Sequence, residues 1–201
     1  MQGSLWRVEL ATGIATELVH SDAYLSSPDF SPDGRWLAYT ADYAHERIQL
    51  EVLDTLTGEV HALTDDDAVY TDPVFSPDGS KLAYVSTHPN GYFNLFVRGF
   101  AAGGWQGDAV AVSNDNDFGR SRLYFGRWDM HIAPAWLPNG SELLLVSNRD
   151  IPLGSGNVLR VPAVENGIAQ ARTVLAEQSL YRTRPDVSLD GKRFVYSSTA
   201  G

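Results

Sequence analysis

The sequence predicts an all-β protein made of repeated four-stranded antiparallel sheets, arranged as the blades of a β-propeller. The main reason is a segment of the type Pro-x-Phe-Ser-Pro-Asp-Gly, which occurs four times in the 201 residues. Its glycines are Gly34, Gly79, Gly140 and Gly191, so successive copies are 45, 61 and 51 residues apart. Repeats of this length are typical of one supersecondary unit stacked several times.

Each copy has the chemistry of a tight β-hairpin turn. Proline presets φ at the first central position, aspartate or asparagine tolerates the second, and glycine takes the left-handed conformation that follows. The strand after each turn is apolar on both faces, as in residues 82–85, which indicates a sheet that is covered on both sides. The structural turn residues are Pro32, Asp33, Gly34, Pro77, Asp78, Gly79, Pro138, Asn139, Gly140, Asp190 and Gly191, with Leu189 in place of the fourth proline.

A second hairpin follows each copy, so that strands a, b, c and d form a blade of about 45 residues. We expect one propeller domain over residues 1–201, with blades at approximately 25–64, 70–112 and 130–176. The hairpin in 3–19 and the hairpin in 181–201 are half-blades that could complete one composite blade. Either they close a ring of four blades or the chain is a fragment of a larger propeller, and their unpaired edges could also join two chains. Residues 167–181 could alternatively be drawn as a helix, but the blade register predicts strand d there.

Composition excludes several classes of function. The formal net charge of −10 argues against nucleic acid or an anionic membrane as a partner. There is no cysteine, hence no disulfide framework and no thiol chemistry. No run of about 18 apolar residues and no signal peptide is present, and Met1-Gln2-Gly3 leads directly into a strand.

Catalytic motifs are absent from the sequence. It contains no Gly-x-Ser-x-Gly nucleophile elbow, no His-x-His or His-Glu-x-x-His metal motif and no phosphate-binding glycine loop. We therefore expect no catalytic residue, no cofactor and no metal in this chain. Of the five histidines, His61 is expected to be a surface or packing residue on strand d.

Candidate binding residues lie on the longer loops, since a rigid frame carries its function on variable loops. The b–c and d–a loops of a four-stranded blade emerge on one face, which predicts that His20, His45, His88, Arg149 and Asp150 gather there, with His131 close by at the start of a strand. The longest loop, residues 113–129, mixes basic and aromatic side chains, which are enriched in binding hot spots. It either docks a partner or packs its aromatic residues on its own blade. Its candidates are Arg120, Arg122, Arg127 and Trp128.

Two acidic stretches, 65–67 and 114–117, raise the question of calcium, which prefers oxygen ligands. The pattern Asp115-x-Asp117-x-Gly119 resembles part of a calcium loop. The glutamate expected later in such a loop is replaced by Gly126. A solvated turn is therefore the favoured interpretation.

The repeat Phe-Ser-Pro-Asp-Gly-x-x-Leu-Ala-Tyr resembles the propeller repeats of TolB, the periplasmic Tol-Pal protein, and the WD-like repeats of prolyl-oligopeptidase and tricorn-type proteases. Residues 121–125, 147–149 and 180–185 resemble the TolB-like amino-terminal region of large secreted amidohydrolases. The resemblance implies a non-catalytic propeller that binds or scaffolds, and that precedes a hydrolase domain in a periplasmic or secreted parent protein. The alternatives are a TolB-type protein–protein interaction scaffold and the propeller portion of a prolyl-oligopeptidase-like protease. A His-x-His pair encoded beyond Gly201 would support the amidohydrolase parent.

Overall fold

The computed structural model describes residues 2–44, 47–116, 131–149, 156–176 and 180–200, and the regular secondary structure of these residues is almost entirely β-strand. The predicted all-β fold of four-stranded antiparallel blades is confirmed. No helix among the described residues is long and apolar enough to cross a membrane. The strands are β1 (Gly3–Val8), β2 (Ala15–Ser21), β3 (Tyr24–Phe30), β4 (Trp36–Asp42), β5 (Ile48–Asp54), β6 (Val60–Ala62), β7 (Tyr70–Phe75), β8 (Lys81–Ser86), β9 (Asn94–Ala101), β10 (Gly104–Ala111), β11 (His131–Trp136), β12 (Glu142–Ser147), β13 (Asn157–Pro162), β14 (Arg172–Leu175), β15 (Leu180–Val187) and β16 (Phe194–Ala200).

Three sheets each contain four consecutive antiparallel strands: β3 to β6, β7 to β10 and β11 to β14. We call them blades 1, 2 and 3. In the third blade, a short 3-10 helix at Gly167–Gln170 precedes β14, so the first part of the segment that could be drawn as a helix, residues 167–175, is one helical turn followed by strand d. The first strand of each blade, together with β15, is called an inner strand.

The remaining strands form two separate two-stranded sheets. β1 pairs with β2 and packs beside β3 at the blade 1 end, whereas β15 pairs with β16 and packs beside β11 and β12 at the blade 3 end. Completion of a composite blade from these two hairpins, within one chain or between two, stays a prediction.

Apolar side chains join neighbouring sheets face to face. Val52 of blade 1 packs with Phe75 of blade 2 in one buried cluster, and Leu95 of blade 2 packs with Leu143 of blade 3 in another. The terminal hairpins extend this stack. Val19 of β2 packs in a cluster with side chains of blade 1, and Phe194 of β16 packs against a cluster of blade 3. Burial of one such side chain contributes about 1.5–3 kcal/mol, so these clusters between sheets stabilise the assembled blades.

A small hydrogen-bond network explains why the turn motif contains serine and aspartate. In the second copy, the Ser76 hydroxyl donates to Asp78 Oδ1 at 2.6 Å, and the Ser76 Oγ accepts the backbone N–H of Lys81 at 3.0 Å. Asp78 Oδ1 also accepts the backbone N–H of Ser80 at 3.0 Å, and Gly79 has a φ of 72°. The side chains thus satisfy backbone donors that a tight turn leaves without a ladder partner.

Each inner strand contains the same irregularity. Ser27, Asp72, Ala133 and Arg184 have φ values between 49° and 53°, and a proline follows each of them. The antiparallel register shifts at all four places, as expected for a β-bulge, which adds one residue and bends the strand. A left-handed conformation costs a non-glycine residue roughly 1–2 kcal/mol, so the packing around these bends must offset that strain.

The contact of Gly103 with the neighbouring blade generates a stability prediction. Gly103 has a φ of 81°, and a Cβ added there would stand 2.8 Å from Trp36 Cη2; Gly58, in the equivalent turn of blade 1, has a φ of 78° and open space around it. We expect Gly58→Ala to lower the free energy of unfolding by about 1 kcal/mol through backbone strain alone. Gly103→Ala should lose a further ~1–3 kcal/mol because the Trp36 ring must move. Equal losses in urea unfolding would show that this contact between blades does not constrain the fold.

The turn carboxylates generate a prediction for acid stability. The hydrogen bonds from Ser76 and Ser80 lower the pKa of Asp78 from its ordinary value near 3.8 to about 2. The folded-state pKa lies below the unfolded value, so the stabilisation is complete above about pH 4 and disappears as the pH falls towards 2. Asp78→Asn should therefore destabilise the protein at pH 7, by less than about 1 kcal/mol because solvent screens this exposed group. The difference from the wild type should shrink between pH 4 and 2.5, whereas the exposed Asp67→Asn should show no such trend in urea unfolding at the same pH values.

Candidate functional site

The four inner strands surround a cavity of about 520 Å³. This volume is in the range of pockets that bind small molecules. The cavity is lined by the stretch of each inner strand between its bulge and the following turn, so it lies towards the Pro-Asp-Gly end of the strands. Its lining residues are Ser27–Phe30 and Pro32, Asp72–Pro77, Ala133–Trp136 and Pro138, and Arg184–Val187 and Leu189.

Hydrogen bonds between blades hold the cavity wall together. Asp72 bridges three blades, because its Oδ1 accepts the Ser27 hydroxyl at 2.9 Å and its Oδ2 accepts the backbone N–H of Ala133 at 3.4 Å. The Trp136 indole N–H donates to the carbonyl of Val74 at 3.1 Å. These contacts fix the positions of three inner strands relative to one another.

Two further carboxylates line the cavity at equivalent positions of the first and fourth repeats. Asp29 Oδ2 accepts the backbone N–H of Phe75 at 2.7 Å, while Asp186 is exposed. Burial raises the pKa of Asp29, and the negative charge of Asp186 raises it further, although the hydrogen bond from Phe75 opposes the rise. The two carboxylates therefore lie close enough to repel each other.

At the other end of the inner strands, the structure joins two of the predicted loop residues through a third residue. His131 is fully buried, and its Nε2 lies 2.9 Å from Asp115 Oδ1. The Arg149 Nε lies 3.0 Å from Asp115 Oδ2, and an Arg149 guanidinium N–H donates to the carbonyl of Ile168 at 3.2 Å. A carboxylate between an arginine and a histidine thus connects the start of β11 with the loop before it and with the loop that follows β12.

Buried polar groups fix the start of the longest loop in a similar way. Asn116 is fully buried, and its side-chain amide donates to the carbonyl of Phe93 at 2.6 Å. The backbone carbonyl of Asn116 accepts hydrogen bonds from the side-chain amides of Asn90 and Asn94, both at 3.0 Å. The segment before residue 117 and the strand that begins at His131 are therefore both anchored in a rigid base.

His88 lies on the loop between β8 and β9, which Asn90 ties to Asn116. Its side chain is 60% exposed, and its Nδ1 lies 3.8 Å from Asp66 Oδ2. That same oxygen accepts the Tyr70 hydroxyl at 2.8 Å, and burial together with this hydrogen bond raises the pKa of Tyr70. The other candidates, His45, Arg120, Arg122, Arg127, Trp128 and Asp150, lie outside the described residues.

The interpretation of residues 114–117 as a solvated turn is wrong for Asp115 and Asn116. Both take part in contacts with distant segments, and Asn116 is fully buried. Within the described ranges, no group of three or more histidine, aspartate or glutamate side chains is placed to hold a metal ion. His61 packs edge-to-face on Trp36, with 6.1 Å between the ring centroids.

Sequence reasoning missed two features of these sites. Asp115 was hidden because its partners lie 16 and 34 residues further along the chain, in a run that looks like an ordinary polar loop. The cavity was missed because binding residues were expected on the long, irregular loops, whereas the cavity is lined by the inner strands. The available signal was the change of residue type around the prolines of the repeat: Ser27 and Asp29, Asp72 and Val74, Ala133 and Ala135, Arg184 and Asp186.

Comparison with solved structures shows a TolB-like propeller fold. TolB from Acinetobacter baumannii is 18% identical in sequence and superposes with a TM-score of 0.65. The match covers 98% of this chain and 48% of the Acinetobacter chain. A putative TolB from Agrobacterium tumefaciens is 14% identical and superposes with a TM-score of 0.66. The match covers 98% of this chain and 65% of the Agrobacterium chain. An oligogalacturonate lyase in complex with manganese is 16% identical and superposes with a TM-score of 0.65. The match covers 97% of this chain and 52% of the lyase chain. The chain thus spans about half to two thirds of the length of these proteins. No protein-family model and no curated protein matches it by sequence.

The Asp115 bridge predicts a stability effect at the base of the loop. Asp115→Ala removes the carboxylate partner of fully buried His131 and of Arg149, which should lower the free energy of unfolding by about 2–3 kcal/mol. Asp67→Ala makes the same change of charge at an exposed position and should stay within about 0.5 kcal/mol of the wild type. If thermal and urea unfolding gave the two variants the same stability, the bridge would not be holding these segments together.

Proposed function

We propose that this protein is a non-catalytic propeller scaffold that binds its ligand in the cavity between the inner strands. The cavity of about 520 Å³ is the observation that carries the proposal. Its walls combine apolar side chains such as Phe30, Val74 and Trp136 with a few charged groups, which is the usual composition of a ligand site. A wall held by hydrogen bonds between blades is preorganised, which reduces the entropic cost of binding.

The chemistry of the lining supports binding rather than covalent catalysis. The two serine hydroxyls in the described lining both donate to carboxylates, Ser27 to Asp72 and Ser76 to Asp78, where they shape the backbone. No histidine, cysteine or lysine belongs to this lining. The described lining therefore offers no imidazole or amine as the general base that activates a serine nucleophile, and the two hydroxyls serve the bulge and the turn.

A narrower proposal places this propeller before the catalytic domain of an amidohydrolase in a periplasmic or secreted parent, where it shields the active site or selects the substrate. Its support is the resemblance of residues 121–125, 147–149 and 180–185 to that group of proteins. A TolB-type scaffold that binds another protein and the propeller of a prolyl-oligopeptidase-like protease are the alternatives. In each case the propeller supplies recognition, and the chemistry belongs to another domain or partner.

The cavity proposal predicts that a bulky side chain on an inner strand abolishes binding. Ala135 lines the cavity, so Ala135→Trp should fill part of it, whereas Ala109→Trp places the same ring on an exposed strand position. The probe is 2-naphthalenemethanol, a neutral apolar molecule that is small enough for the cavity. Isothermal titration calorimetry should detect weak binding to the wild type and to Ala109→Trp, and at least about tenfold weaker binding to Ala135→Trp. Absence of binding to the wild type, or equal binding to both variants, would contradict the proposal.

A further inference from the structure

We propose that the cavity selects an organic ammonium ion with an apolar body, held through its positive charge by Asp29 and Asp186. This inference rests on the proposed function, because it names the ligand class of the same cavity. The observation behind it is an imbalance of charge. Asp29, Asp72 and Asp186 face one cationic side chain, Arg184, which leaves a formal charge of −2 on the described lining.

The three carboxylates differ in what they already bind. Both Asp72 oxygens accept hydrogen bonds from neighbouring inner strands, so Asp72 is part of the framework. Asp29 uses Oδ2 for the backbone N–H of Phe75. Asp186 stands at the equivalent position of its own repeat, yet no donor or cation among the described residues contacts its carboxylate. Asp186 is therefore the acceptor most available to a ligand.

Electrostatic repulsion adds a second argument. Burial raises the pKa of Asp29 and the negative charge of Asp186 raises it further, so the two carboxylates that line the cavity repel each other. A cation between them replaces this repulsion by two attractions, and charge-assisted hydrogen bonds are stronger than those between neutral groups. Arg184 does not already fill this role, because it makes no ion pair with either carboxylate within the described part of the chain.

The apolar part of the ligand follows from the rest of the wall. Phe30 and Trp136 present aromatic rings, and the prolines of the bulges and turns present rigid apolar surface. Aromatic faces attract cations in addition to burying apolar groups. An inorganic cation would leave this surface unused, and an anion would be repelled by the same carboxylates. A small ammonium ion on an aromatic or aliphatic body satisfies both halves of the cavity.

Three probes of nearly the same shape separate charge from size: 2-naphthylmethylamine, 2-naphthalenemethanol and 2-naphthoate. At pH 7 the amine should bind at least about tenfold more tightly than the alcohol, and the carboxylate should bind more weakly than both. Equal affinity for the amine and the alcohol, or tighter binding of the carboxylate, would overturn the selectivity while leaving the cavity intact as a binding site. Failure of all three probes would instead remove the proposed function.

Variants locate the charge that is responsible. Asp186→Asn should lower the affinity for the amine by about five- to tenfold and leave the affinity for the alcohol unchanged, because the Asp186 carboxylate accepts no hydrogen bond from the described residues. Asp29→Asn should act in the same direction, and Arg184→Gln should raise the affinity for the amine by about two- to threefold by removing a competing positive charge. Asp67→Asn, an exposed carboxylate outside the cavity, is the matched control for net charge. If Asp67→Asn weakened amine binding as much as Asp186→Asn did, the preference would come from the overall charge of −10 and the assignment to the cavity would be wrong.

Discussion

Packing of one sheet against the next is the constraint on which the rest of this structure depends. Blade 2 is covered on both faces, by blade 1 on one side and blade 3 on the other, and its strands are apolar on both faces for that reason. No blade contains a complete core of its own. The turns and the bent inner strands must therefore leave the facing surfaces of neighbouring sheets close enough for their apolar side chains to pack together.

The inner strands meet this constraint at a cost in backbone strain. Four left-handed residues, each followed by proline, bend the four strands at the same point of the repeat. Proline has no backbone N–H, so it leaves no donor of its own unpaired at the place where the bulge interrupts the ladder. Hydrogen bonds across blades, such as Phe75 to Asp29 and Ala133 to Asp72, then use donors and acceptors that the bent strands expose. The same bend that costs local energy creates the links between blades.

The sequence was sufficient to predict the repeat, the four-stranded sheets and the turns, because those features depend on interactions between residues close together in the chain. Ser76, Asp78 and Gly79 determine a turn among themselves, and the copies of that turn mark the blades. The bridge from Asp115 to His131 and Arg149 depends on three segments that meet only after the blades have formed. The cavity depends on four inner strands, and none of the four copies reveals it alone. Local chemistry therefore predicts the frame, and the sites require the assembled fold.

The repeat also shows where this chain is free to carry specificity. Residues of the turn are held by their own hydrogen bonds, so Asp33, Asp78 and Asp190 recur with the same partners. The residue before the bulge proline has the same left-handed conformation in all four copies, yet this position and the one after the proline carry different side chains: a hydroxyl, carboxylates, a guanidinium and small apolar groups. A position that keeps its backbone while its side chain changes is not determined by the fold. These positions line the cavity, but only some are independent of the fold: Asp29 and Asp72 accept hydrogen bonds from neighbouring blades, whereas Asp186 is exposed. Along each inner strand, the residues proposed to bind lie beside the bulge, and the residues that determine the turn lie a few positions further on.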